Sequence, residues 1–121
     1  MNKELIEKTV LQIAKTFEHN MEEFSGHQKI LNQHLFDIKK IEKQIEGDVA
    51  GDKTFTNDTQ RKAEVFKRLQ DNEQYQTLRS LKEFEDDQIV EINTILEVCR
   101  MNIKAYDIIT RNWGVKWQKK T

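Results

Sequence analysis

Proline is absent from this 121-residue chain, cysteine occurs once and glycine four times. Each scarcity excludes something. Without proline, no residue lacks the backbone N–H that a continuous helix requires. One cysteine, Cys99, cannot form an intrachain disulfide, and its place on an apolar stripe predicts a buried thiol. Long apolar runs are also missing. No segment approaches the roughly 20 residues that span a bilayer, and the N-terminus alternates charged with apolar residues, unlike a secretory signal. The net charge of −1 excludes a polyanion mimic or a uniformly basic coat. There is no glycine-rich phosphate loop, nucleophile elbow, Cys-x-x-Cys pair or Glu-x-x-His pair. These absences predict a cytoplasmic protein with no catalytic residue, no metal site, no cofactor and no membrane contact.

What is present is periodicity. Val10, Phe17, Phe24, Leu31, Ile38 and Ile45 recur every seven residues. A second row, offset by three, reads Ile6, Ile13, Asn20, His27, His34 and Ile41. These are the a and d positions of a helix that lies along another helix. The pattern predicts a first helix over about 3–45, with Phe24 and Leu31 buried and Glu22 and Lys29 exposed. Ser25-Gly26 interrupts the composition but not the phase, which favours one continuous helix over a break there.

Residues 46–56 read as a loop, with two glycines and three acids against one lysine. A glycine just past the last seam residue suits a helix C-terminus. The next helix is expected to start at Thr56 or Asn57, and Asn57 with Gln60 has capping-box spacing. Helical patterning then continues over about 57–112. Ala63, Phe66 and Leu69 form a short stripe, and Asp71-Asn72 offers a point of re-capping. A longer stripe follows: Tyr75, Leu78, Leu81, Ile89, Ile92, Ile95, Leu96, Cys99, Ile103, Tyr106 and Ile109. It thins at Glu85 and Gln88, which share the phase of the seam. The expected fold is all-α: a long antiparallel helical hairpin resembling a coiled coil, in one domain, with a short third helix near 58–70. A hairpin alone leaves apolar surface open, so a second copy of the chain, forming a dimer, or another protein partner is expected to supply burial.

Several polar residues stand out against this background. His27 and His34 are two helix turns apart, roughly 10 Å, too far to share a metal ion without other ligands. With Asn20 they are read as polar seam residues that fix register or oligomeric state. On that reading, replacing both histidines with leucine keeps or raises stability. The acidic runs Glu22-Glu23 and Glu85-Asp86-Asp87 read as solvated helix faces.

Charge is unevenly spread. Residues 1–45 carry seven acids and seven bases, residues 71–97 eight acids and two bases, and residues 98–121 six bases and one acid. In the C-terminal stretch Trp113 and Trp117 are interleaved with Arg111, Lys116, Lys119 and Lys120. Basic groups neutralise phosphates and aromatic faces stack on unpaired bases. The same residues could instead cap the seam, complement the helix dipole or dock onto a protein. Gly114 weakens helix continuation, so 113–121 reads as a basic aromatic tail. A second basic cluster, Arg61, Lys62, Lys67 and Arg68, surrounds Phe66.

The stretch F-T-N-D-T-Q-R-K-A-E-V-F-K-R-L-Q-D-N-E-Q-Y-Q-T-L (55–78), with the long charged helix after it, resembles a group of small phage and prophage coiled-coil proteins. The resemblance covers residues 55–110. It is carried by Asn57, Arg61, Leu69, Asp71, Glu73 and Tyr75, and the two-tryptophan tail departs from it. The group has no established activity. The resemblance implies a phage early region and so an inhibitor of host defence. Together with the long helical surfaces it leads to a protein of the bacterial host cytoplasm that binds other proteins as a modulator or inhibitor of host machinery or defence. The alternative it implies is a nucleic-acid-binding accessory of phage DNA replication or recombination.

Overall fold

A computed structural model describes residues 2–119, with side chains over 2–112. The order is α1 (Lys3–Ala50), α2 (Asp58–Asp71) and α3 (Glu73–Lys119), with no strand among the described residues. The protein is an all-α helical hairpin bundle. The chain divides into two compact units. The first comprises residues 1–26 and 89–121, the second residues 27–88.

Each helix boundary has a local cause. Asn2 Oδ1 accepts from the Glu4 backbone N–H at 2.9 Å, satisfying one of the free donors that open α1. The helix runs unbroken through Ser25-Gly26 and past the expected end at Ile45. Gly47 lies inside it, because Val49, four residues after Ile45, is 1% exposed and carries the apolar stripe one turn further. No described glycine has a positive φ, so the left-handed glycine terminus expected after Ile45 does not occur. The N–H of Gly51 donates to Gly47 and that of Asp52 to Val49, closing the helix with ordinary backbone.

Asn57 caps α2, its side chain accepting from Gln60 N at 2.9 Å. The reciprocal half of the capping box is displaced by one residue. Gln60 Oε1 accepts from the backbone N–H of Thr56, not that of Asn57. Asn72 alone separates α2 from α3 and caps α3 by accepting from Tyr75 N at 2.8 Å.

Every residue of the two predicted rows on α1 is buried or half-buried, while Glu22 and Lys29 are exposed. Leu31 is buried, whereas Phe24 is half-buried. In the second unit, Leu35, Ile38 and Glu42 of α1 lie with Tyr75, Arg79 and Lys82 of α3, and His27 lies with Glu85. The numbering falls on one helix as it rises on the other, so the helices are antiparallel. In the first unit Ile13 lies with Cys99, and the Arg100 guanidinium sits 5.6 Å from the centre of the Phe17 ring. Cys99 is buried, and Leu96 is 1% exposed. Leu81 and Ile95, expected on the seam, leave it and are about two-fifths exposed. Only one stripe of a helix can face one partner, and the seam on α3 follows Leu78, Glu85, Ile92 and Cys99 instead.

Gly26 lies mid-helix, and a methyl group added there meets nothing within 4 Å. Gly26→Ala should therefore raise stability by about 0.8–1 kcal/mol, the intrinsic difference between the two residues in a helix interior. Thermal denaturation of the pair checks this. An unchanged or lower Tm would mean that α1 is not a continuous helix there.

Candidate interaction surfaces

The polar seam residues do different things. His27 Nδ1 lies 2.5 Å from Glu85 Oε2, and the Glu85 side chain is only 9% exposed. With the carboxylate ionised, Nδ1 must carry the proton and donate it. The buried acid on α3 is thus answered by a histidine 58 residues away on α1. Asn20 spends its amide on its own helix, Nδ2 donating to the Thr16 carbonyl at 2.8 Å. His34 is half-buried. Among the described residues no group of three or more His, Cys, Asp or Glu is placed to hold a metal ion. No helix among them is long and apolar enough to cross a membrane.

The second unit carries an open cleft of about 430 Å³ where α2 meets the end of α1. Its floor is Val49, Val65 and Leu69, and its rim is Phe66, Arg61 and Lys62, with Glu46 beside them. The expected stripe Ala63, Phe66, Leu69 is not the face that α2 packs. Ala63 and Phe66 are exposed, and the half-buried residues are Arg61, Glu64, Val65, Arg68 and Leu69. Val65 and Leu69, four apart, point inward, which turns Phe66 outward by the 100° step of the helix. The loop before α2 is tied down by Asp52. Hydrogen bonds from Thr54 hold its carboxyl below the usual carboxylate range, aided by Arg68 at 3.9 Å.

Of the basic residues singled out in the sequence, the three described arginines are ion-paired. Arg61 pairs with Asp58 at 3.0 Å, and Arg68 with Glu64 at 2.9 Å. Arg111 pairs with Asp107 at 3.0 Å. Each arginine is already matched within its own helix. Lys62 and Lys67 are exposed beside them. The side chains of Trp113, Lys116, Trp117, Lys119 and Lys120 lie outside the described residues.

The first unit has a groove of about 390 Å³ between its helices. Thr9, Ile13 and Thr16 line one wall, and Ile95, Val98 and Cys99 the other. Val98 is 50% exposed and Met101 64%. Two features here escaped the sequence reading. The Val49–Val65 cleft joins residues from two helices. The Val98–Met101 stripe is a second apolar row on α3, visible in retrospect as apolar residues spaced three apart outside the seam. Comparison with known protein families, curated proteins and solved structures gave no match.

Proposed function

We propose that this chain is a phage or prophage helical interaction protein. It acts by docking onto other proteins as a modulator or inhibitor of host machinery or defence, and it self-associates as a dimer. The observation that supports the docking reading best is Phe66, 63% exposed at the mouth of the α2 cleft. Large aromatics displayed beside a pocket are the side chains on which protein interfaces concentrate their energy. Residues 61–70 hold four bases and one acid around it. The partner segment that fits is apolar, with one aspartate or glutamate placed to reach the exposed Lys62 or Lys67. A phosphate backbone fits less well, because Asp58 and Glu64 already neutralise the two arginines and Glu46 adds negative charge at the rim.

The test uses the full chain as bait in a bacterial lysate, beside Phe66→Ala. The exposed ring contributes little to folding, so the variant should melt within about 0.5 kcal/mol of the parent. A partner held by the parent should be lost from the variant. A peptide from that partner carrying an acidic–apolar segment should bind the purified parent chain. Retention of the same proteins by both baits would overturn the reading. Salt-dependent binding of labelled single- or double-stranded DNA would instead favour an accessory of DNA replication or recombination.

A further inference from the structure

Helix α3 carries its exposed apolar stripe where its charge changes sign. Ile95, Val98 and Met101 follow on successive turns of the first unit, between two-fifths and two-thirds exposed. Within that unit, residues 89–97 hold two acids and no base, and residues 98–112 hold three bases and one acid. A helix of this kind complements itself when reversed. We infer that α3 of one copy lies antiparallel against α3 of a second copy, centred on Val98. The inference deepens the self-association proposed above and does not involve the α2 cleft.

Three physical terms favour this occupant. The apolar stripes cover each other, and the groove beside them, walled by Thr9, Ile13 and Thr16, receives side chains from the partner. Antiparallel pairing sets the acidic part of each helix against the basic part of the other, whereas parallel pairing sets acid on acid and base on base. The contact is isologous and closes at two copies, because each copy offers the same patch.

Light scattering on the full chain should give twice the 14.5 kDa chain mass. Val98→Glu should give the monomer mass with unchanged helical circular dichroism. Where that variant loses helicity, Met101→Glu, further exposed, should give the same result. Orientation is read by oxidative cross-linking beside the parent chain, whose Cys99 is buried. Val98→Cys should form a disulfide-linked dimer. Val90→Cys should not, because antiparallel pairing about Val98 separates the two copies of residue 90 by roughly 24 Å at 1.5 Å per residue. Cross-linking through Val90→Cys would show parallel helices and overturn the inference. So would a dimer that survives both glutamate substitutions, or a parent chain that stays at 14.5 kDa at every concentration. A monomeric parent that still loses its partner on Phe66→Ala would overturn this inference and leave the α2 docking site standing. A dimer abolished by Val98→Glu, with no partner lost on Phe66→Ala, would do the reverse.

Discussion

His27→Leu should destabilise the protein by about 3 kcal/mol, the low end of the cost of leaving one member of a buried pair behind. The reason is Glu85, whose side chain is nine-tenths buried and whose carboxylate loses its donor 2.5 Å away. Leucine offers no proton to the acid, so Glu85 is left buried without that donor. The double variant His27→Leu, Glu85→Leu should match the parent or exceed it, since replacing a buried pair with packed apolar side chains is often neutral or favourable by about 1–4 kcal/mol. Urea denaturation of the parent and both variants measures this. A single variant as stable as the parent would mean that the pair contributes nothing to the fold. The result runs opposite to the expectation from the heptads alone, in which leucine at His27 is harmless.

The second large effect concerns the core of the first unit. Leu96 is 1% exposed, and Leu96→Ala should cost about 3 kcal/mol through lost burial and the cavity left behind. Phe24→Ala should cost less, although more atoms are removed, because the ring is only half-buried and water already reaches part of it. Melting curves of the two variants give the ranking. A larger loss at Phe24 would place the packing centre on α1 rather than at Leu96.

Much of the architecture was legible from spacing. The two seven-residue rows on α1 define its buried face residue by residue, and Asn57 and Asn72 mark the starts of α2 and α3 by the chemistry of their side chains. What was not legible depends on contacts between distant residues. Glu85 reads as part of an acidic run until His27 is placed beside it. Phe66 reads as part of a stripe with Ala63 and Leu69 until Val65 takes the inward position. The end of α1 was missed for a related reason: Gly47 signals termination locally, while the burial of Val49 keeps the helix going. The surface stripe on α3 blends with the seam in sequence, because Ile95 and Leu96 are adjacent and only packing separates the inward residue from the outward one.

The long α1–α3 pairing also orders the way the chain can fold. Bringing two residues together costs chain entropy that grows with the length of chain between them. Asp52 and Arg68 meet across a short segment, His27 and Glu85 across 58 residues, and Ile13 and Cys99 across a longer stretch still. Contacts around α2 therefore close first and shorten the effective loop for each pair after them, so that the hairpin zips away from its turn. Substitutions near α2 then act mainly on the folding rate. Those near Ile13 and Cys99 act mainly on the unfolding rate, because these layers join late and part early.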